Sequence, residues 1–204
     1  MNKIKTGIAV AAMALLSPLA QAAAFTNGGF EDTSFTGTFE TYGAGSSMLT
    51  GWQIVSGSVD LINTYWTPYE GTHSLDLNGN TNGSIQQTFD TVANQTYTVS
   101  FAMAGNTDGG GDKYMLAGVT GGDLFTFSIA GQTHANMGWV MKSFNFTATG
   151  SSSTLYFTGF NGNGPYGAAL DNISVTAVPE AGTYAMLLAG LGLLGVAVRR
   201  KKSA

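Results

Sequence analysis

The sequence contains no cysteine among its 204 residues. Neither a disulfide framework nor a thiolate metal site can therefore form, and the fold must depend on a packed core. Without its two terminal segments the chain retains a body of about 150 residues, which buries roughly 68 to 70% of the surface of its unfolded chain. This burial suffices for one self-supporting domain.

Basic residues are almost absent from that body. Six of the eight Lys and Arg residues lie near the chain ends, which leaves only Lys113 and Lys142 against eleven Asp and Glu residues. The body therefore carries a net charge of -9, although the whole chain carries -4. Nucleic acid binds to cationic surfaces, so we expect no nucleic-acid partner. A divalent cation or a neutral sugar is compatible with this charge.

The first 24 residues predict a secretory signal peptide. Lys3 and Lys5 precede an apolar run, and the segment ends in small residues, among which Ala20 and Ala22 match the A-x-A cleavage pattern. The chain therefore divides into a signal peptide (1–24), a body (25–176) and a C-terminal segment (177–204).

The C-terminal segment predicts a marginal transmembrane helix. Residues 182–198 carry no charge, and at about 1.5 Å per residue they span roughly 25 Å, slightly less than a ~30 Å hydrocarbon core. The sequence RRKK follows and should remain on the cytoplasmic side, which places the acidic body outside. The alternative is a buried core helix, which four consecutive positive charges at a chain end disfavour.

This segment resembles the PEP-CTERM sorting signal, which combines a Pro-Glu-Pro motif, a hydrophobic helix and an Arg-rich end. Pro179 and Glu180 match the first two motif positions, and Ala181 replaces the second proline. Arg199 and Arg200 match the basic end. The resemblance implies removal of the tail by an exosortase-type enzyme. It also implies a Gram-negative bacterium, transient anchoring in the inner membrane, and then a place at the cell surface or in the extracellular matrix.

Short runs of β-forming residues, separated by Gly- and Asn-rich turns, fill the body. In QTYTVSFAMA, Tyr97, Val99, Phe101 and Met103 alternate with polar residues, which predicts a strand with one buried and one solvent-facing side. Similar runs bring the expected number to about nine: DLFTFSI, STLYFTGF, SFNFTA, WQIV, SVDLI, HSLDL, SIQQTF and AALDNISV. Their spacing predicts an all-β, antiparallel sandwich or jelly roll.

The body also resembles the choice-of-anchor C proteins, whose domains are similar to galactose-binding-like modules. The similarity rests on motifs that occur in the same order, namely NGGFED, GWQIVSGSVDLI, GTHSLDLNG, GSIQQTF, YTVSFAMAGN and YGAALDNISV. It implies a jelly-roll β-sandwich that shares motifs with several carbohydrate-binding modules. A shared fold does not by itself assign a function.

The same resemblance implies a structural Ca²⁺ site. In galactose-binding-like modules an acid after the first strand and an Asp in the last strand often hold this ion, and Glu31 and Asp171 match these positions. Ca²⁺ takes about six to eight oxygen ligands and accepts backbone carbonyls from irregular segments. The alternative is that both carboxylates accept hydrogen bonds from backbone amides.

Four loop aromatics are candidate sugar-binding residues, because the apolar face of a sugar stacks on a flat ring. Tyr65, Trp66 and Tyr69 lie in TYWTPYEG, which its Thr, Pro and Gly residues mark as a loop, and Tyr166 lies in GNGPYG. The alternative is that the three rings of TYWTPYEG close one open end of the sandwich. Trp139 is expected in the core.

No catalytic motif is recognisable. His73 and His134, the only histidines, are not at metal-binding spacing, and G-x-S-x-G and phosphate-loop motifs are absent. We therefore expect an exported, noncatalytic surface or matrix module that binds an exopolysaccharide or a cell-wall glycan. The first alternative is a purely structural matrix or adhesion protein without sugar binding. A more distant one is a polysaccharide hydrolase with a carboxylate pair.

Overall fold

The computed structural model describes residues 24–160 and 164–179, which form an antiparallel β-sandwich. Its strands are β1 (Phe39–Gly43), β2 (Gln53–Ser56), β3 (Ser58–Ile62), β4 (Ser74–Asp76), β5 (Ser84–Asp90), β6 (Thr96–Gly105), β7 (Lys113–Gly118), β8 (Gly122–Phe127), β9 (Val140–Thr147), β10 (Ser152–Gly159) and β11 (Ala168–Ala177). One sheet has the order β1-β3-β4-β11-β6-β9, and the other has the order β2-β5-β10-β7-β8. The predicted all-β antiparallel sandwich is confirmed, and each predicted run lies on a strand.

The predicted signal peptide and the predicted tail helix lie outside the described residues. The same holds for three residues of the sorting signal, Glu180, Arg199 and Arg200. Pro179 is described and is exposed. In the part of the chain that the structure describes, no helix is long and apolar enough to cross a membrane.

The core lies between the two sheets and is built by residues that face one another across neighbouring strands. Leu75 on β4 pairs with Leu170 on β11, which pairs with Met103 on β6. Directly opposed residues of antiparallel strands point to the same face. Phe101 lies on that face two residues before Met103, and its ring contacts Phe157 of the other sheet at 5.2 Å. This row therefore forms the inner face of the six-stranded sheet.

The outer face of the same sheet is polar at its centre. Thr41 pairs with Asp60, Asp60 with Asp76, and Asp76 with Ala169. Adjacent residues along a strand point to opposite faces, so these side chains project away from the core. Loops nevertheless cover them, as their low exposure shows: Asp60 is 9% exposed and Asp76 is 0% exposed. This covered outer face carries the candidate site.

Candidate functional site

Tyr65 and Tyr166 line one cleft on the outer face of the six-stranded sheet. Phe39 on β1 is a third ring there and meets Tyr65 edge to face at a centroid distance of 5.3 Å. Phe39 is 47% exposed and Tyr166 is 37% exposed, so both present part of their rings to solvent. We call this cavity of about 200 Å³ the ring cleft, which is lined mainly by Phe39, Asp60, Tyr65, Asn106, Asp108 and Tyr166.

Polar groups converge on the ring cleft from separate parts of the chain. Asp60 on β3 accepts a 2.6 Å hydrogen bond at Oδ1 from Thr41 Oγ1. Asp108, in the loop after β6, accepts a 2.5 Å hydrogen bond at Oδ2 from the phenol of Tyr65. Asn106 begins that loop, and its Oδ1 accepts a hydrogen bond from the amide of Asp108 at 3.0 Å. Carboxylates beside aromatic rings can accept hydrogen bonds from the hydroxyl groups of a ligand.

His134 contacts Tyr65 and Asp108 but does not itself line the ring cleft. Its ring lies 4.7 Å from the ring of Tyr65, and its Nε2 lies 3.0 Å from Asp108 Oδ1. Nε2 is buried and has no hydrogen-bond partner among the described residues, so its contact with Asp108 is a close approach without an aligned hydrogen bond. Tyr65 and Asp108 are thus fixed by contacts with each other and with His134.

The protonation of the cleft groups follows from their surroundings. The hydrogen bond to Asp108, together with burial and the charge of that carboxylate, raises the pKa of Tyr65 to about 12. The phenol therefore remains a hydrogen-bond donor at neutral pH. Burial raises the pKa of Asp60, and the hydrogen bond from Thr41 offsets only part of this effect.

Asp76 lies beneath the cleft and connects to it through Asn106. Its Oδ1 accepts hydrogen bonds from the amides of Asn78 and Gly167 at 2.9 and 3.0 Å, and its Oδ2 accepts one from Asn106 Nδ2 at 2.9 Å. Burial raises the pKa of Asp76 to about 8, although these three donors oppose the shift. Asn106 is therefore held by a buried carboxyl group while its loop lines the ring cleft.

Trp66 is not an exposed ring, which corrects the sequence prediction. Its side chain is 3% exposed, and its indole Nε1 donates a 2.8 Å hydrogen bond to Ser74 Oγ on β4. Residues 63–73, the aromatic loop, fold this ring onto the outer face of the sheet. Burying a large apolar ring that also finds an acceptor for its N–H is more favourable than leaving it in solvent. Trp66 therefore offers no open face for stacking.

Tyr69 lies in the aromatic loop but outside the ring cleft. Its side chain is 42% exposed, and its ring meets Trp139 edge to face at 6.4 Å. Trp139, which was expected in the core, is only partly buried and donates from Nε1 to the carbonyl oxygen of Thr67. The structure thus brings together two of the four predicted rings, Tyr65 and Tyr166, and separates Tyr69 from them.

Asp171, one of the two predicted calcium ligands, anchors the aromatic loop. It is completely buried on β11, and its Oδ2 accepts hydrogen bonds from the amides of Tyr69 and Glu70 at 2.9 and 3.1 Å. Its Oδ1 accepts one from the amide of Asn172 at 2.6 Å. Burial raises the pKa of Asp171 to about 6, and these amide donors oppose the shift.

Glu31, the other predicted ligand, anchors the end of the same loop. Its Oε1 accepts hydrogen bonds from the amides of Thr72 and His73 at 2.8 and 2.7 Å. Its Oε2 accepts one from Thr72 Oγ1 at 2.7 Å and lies 3.1 Å from His73 Nδ1. Burial opposes ionisation of Glu31, but the hydrogen bonds from His73 and Thr72 outweigh it and lower the pKa of this carboxyl group.

These contacts leave few free lone pairs for a metal ion. A carboxylate oxygen accepts about two hydrogen bonds, and both oxygens of Glu31 and one oxygen of Asp171 already have two neighbouring polar groups. Within residues 24–160 and 164–179, no group of three or more His, Asp or Glu side chains could hold a metal ion. In this arrangement both carboxylates serve the backbone amides of the aromatic loop, and the calcium site, which would also need backbone carbonyls as ligands, stays a prediction.

The anchoring role and the calcium role lead to different results on chelation. We expect Glu31→Ala to lower the free energy of unfolding by about 1 to 2 kcal/mol, because the amides of Thr72 and His73 and the hydroxyl of Thr72 lose their acceptor. We expect EDTA to leave the melting temperature of the unaltered protein unchanged, as thermal unfolding followed by circular dichroism would show. Asp32→Ala, which removes the neighbouring exposed acid, is the matched control. A melting temperature that falls with EDTA and recovers with Ca²⁺ would favour the calcium site.

Several lining residues of the ring cleft were not predicted. The sequence does contain a hint of the role of Asp60, since it is the one charged residue in the apolar run SVDLI. The hint is weaker for Asp108, which is an acid in the Gly-rich loop GNTDGGGD. The sequence contains no hint for Phe39, because its short edge strand is mostly exposed and has no clear alternation.

Fold and site together define a two-sheet β-sandwich domain with an acidic, ring-lined cleft on the outer face of one sheet. The chain belongs to the family described as protein of unknown function (DUF642), whose family model matches residues 23–176. Residues 177–201 match the PEP-CTERM protein-sorting motif, which confirms the predicted sorting signal despite Ala181. The protein is therefore exported and sorted to the surface.

One curated relative is halomucin from Haloquadratum walsbyi, which is 34% identical over 155 residues. The match covers 73% of this chain but only 2% of halomucin. The chain thus spans a very small part of that relative, so the role of halomucin does not transfer to it.

Similar solved structures include three carbohydrate-binding modules. A family 35 module from Paenibacillus barcinonensis is 22% identical, with a TM-score of 0.43, and the match covers 68% of this chain and 99% of that one. A family 35 module from an environmental isolate is 16% identical, with a TM-score of 0.47 and coverages of 70% and 98%. The module TmCBM61, solved with β-1,4-galactotriose, is 15% identical, with a TM-score of 0.42 and coverages of 74% and 96%. Likeness at this level carries no conclusion about a ligand.

Proposed function

We propose that this protein is an exported, noncatalytic module that binds polysaccharide in the ring cleft. In this proposal an exosortase-type enzyme processes the sorting signal after transient anchoring in the inner membrane of a Gram-negative cell. The module then acts at the cell surface or in the extracellular matrix, where it holds an exopolysaccharide or a cell-wall glycan.

The observation that carries the proposal is the combination of three rings and several acceptors in one cavity. A pyranose has apolar C–H faces that pack on aromatic rings, and Tyr65 and Tyr166 supply such rings. Its hydroxyl groups need acceptors around the edge, and Asp60, Asn106 and Asp108 supply them. The volume of about 200 Å³ is below the ~300 to 1,000 Å³ of sites for drug-sized ligands, which suits one sugar unit of a longer chain.

Tyr166→Ala is expected to weaken glycan binding by at least about tenfold, which corresponds to roughly 1.4 kcal/mol. The change removes a partly exposed ring from the cleft wall. A glycan array should first identify the ligand of the mature protein, and isothermal titration calorimetry should then compare the variant with the unaltered chain. Tyr69→Ala is the matched control, because it removes an equally exposed tyrosine outside the ring cleft.

The results separate the proposal from its alternatives. Equal losses in Tyr166→Ala and Tyr69→Ala would place the binding site elsewhere. No binding across the array would favour a purely structural matrix or adhesion protein. Release of sugar from a polysaccharide panel, lost on Asp60→Asn or Asp108→Asn, would favour a hydrolase.

A further inference from the structure

We propose that the ring cleft selects an amino sugar that carries a free, protonated amine, in preference to N-acetylated or acidic sugars. This inference rests on the proposed function and names the chemical class of sugar for the same cleft. It follows from the acidic lining of the cleft, from the burial and hydrogen bonding of Asp60, and from the arrangement of the rings.

The side chains that line the ring cleft include two carboxylates and no cation. Asp60 and Asp108 both line it, whereas no described Lys or Arg does. Lys113 is fully buried and donates from Nζ to the carbonyl oxygen of Gly109 at 3.0 Å, and Lys142 lies on the edge strand β9. A uronic acid would therefore meet two acids without a cationic partner in the cleft lining, which disfavours its binding.

Two basic groups lie near these acids, namely Lys113, whose charge interacts with Asp76 and Asp108 from within the core, and His134. His134 lies outside the cleft lining, where it contacts the ring of Tyr65 and Oδ1 of Asp108. Its effect is therefore directed at Asp108. Asp60 has no such neighbour: the acids near it are Asp76 on the adjacent strand, whose raised pKa of about 8 keeps it largely protonated at neutral pH, and Asp108, which also lines the cleft.

Asp60 has the geometry expected of a carboxylate that awaits a cationic ligand. It is 9% exposed and lines the cavity. Its Oδ1 accepts the hydrogen bond from Thr41, while none of the residues in the described ranges donates to its Oδ2. Burial raises the pKa of Asp60, and an ammonium group in the cleft would offset this by favouring the charged form.

The rings around the carboxylates favour the same ligand. A cation near the face of an aromatic ring is attracted by the ring quadrupole, and Phe39, Tyr65 and Tyr166 surround the cavity. The apolar face of an amino sugar can stack on one ring while its amine approaches Asp60. N-acetylation removes the positive charge and adds an acetyl group, which a cavity of about 200 Å³ has little room to hold.

The test compares two short ligands that differ only at C2 of the sugar ring with a third ligand that is acidic. The mature protein is titrated calorimetrically, in about 0.15 M salt, with a trimer of β-1,4-linked glucosamine, with its fully N-acetylated form and with a trimer of galacturonic acid. We expect the free-amine trimer to bind about tenfold more tightly than the N-acetylated trimer. We expect no measurable binding of the galacturonic acid trimer.

Isosteric variants connect this preference with the cleft. Asp60→Asn and Asp108→Asn should each reduce the preference for the free amine to about threefold or less. Asp123→Asn, which removes an exposed acid on β8, should retain it and controls for general attraction to an acidic protein. Tyr166→Ala should weaken binding of the free-amine trimer.

The outcomes of these experiments distinguish a failure of this inference from a failure of the proposed function. Binding that depends on Tyr166 but does not distinguish the free amine from the N-acetyl group would overturn the inference and leave the proposed function intact. A preference that survives Asp60→Asn and falls with Asp123→Asn would also overturn it. Binding to none of the three trimers overturns the inference, and the glycan array then decides the proposed function.

Discussion

Trp66→Ala is expected to lower the free energy of unfolding by about 3 to 5 kcal/mol, the usual cost of removing a large buried ring. The side chain is 3% exposed, so its deletion leaves a cavity between the aromatic loop and the sheet. The deletion also leaves Ser74 Oγ without its indole partner. The rings of Tyr65 and His134, at 5.9 and 6.3 Å from the indole, would lose packing contacts. Urea unfolding followed by fluorescence or circular dichroism measures the change.

Two further variants show whether burial causes this loss. Trp66→Phe retains much of the ring but not the N–H, so it should cost less than Trp66→Ala. Tyr69→Ala, in the same loop but 42% exposed, should cost at most about 1 kcal/mol. If Trp66→Ala left stability unchanged and removed only glycan binding, Trp66 would be an exposed stacking ring, which is one of the two alternatives that the sequence leaves open.

Asp76→Asn is expected to change the pH dependence of stability. Burial raises the pKa of Asp76 from 3.8 to about 8 in the folded protein. Between these values the folded state holds a proton that the unfolded state has released, so stability falls as pH rises, by up to about 1.4 kcal/mol per pH unit. The stability that this proton contributes is complete below about pH 4 and is lost as pH approaches 8. An asparagine does not titrate, so the variant lacks this slope.

The measurement is the difference in unfolding free energy between Asp76→Asn and the unaltered protein at several pH values. We expect the variant to gain about 3 to 4 kcal/mol relative to the unaltered chain between pH 5 and pH 8. Other titrating groups, including Asp60 and Lys113 near Asp76, are common to both proteins and contribute less to the difference. Asp123→Asn, an exposed acid, should show no such trend, and a pH-independent difference for Asp76→Asn would contradict the prediction.

The strand pattern of this fold was largely predictable from sequence because most strands alternate clearly. Two of the strands, β1 and β7, are not among those predicted from the sequence. β1 is an edge strand with four of five residues exposed, and β7 follows a Gly-rich loop and begins with Lys113, whose burial no pattern indicates. On β6 the face that was predicted to face solvent is buried at its C-terminal end, where Ala102 and Ala104 are fully buried. Periodicity shows which face is apolar, but not whether a loop later covers the other.

The candidate site was only partly predictable for a similar reason. Pro and Gly residues mark the loops that carry Tyr65 and Tyr166, but Tyr65 and Trp66 are adjacent and cannot be distinguished by pattern. Their positions are decided by the acceptors that the fold offers, namely Asp108 for Tyr65 and Ser74 for Trp66. Asp60 joins the site only because its strand pairs with β1 and β4.

The central claim is that a sugar binds in the ring cleft, and a crystal structure of the mature protein with its tightest glycan tests it most directly. We predict a pyranose stacked on Tyr65 or Tyr166, with polar groups within about 3 Å of Asp60 or Asn106. A glycan bound beside Tyr69 and Trp139, or anywhere else outside the ring cleft, would contradict this account.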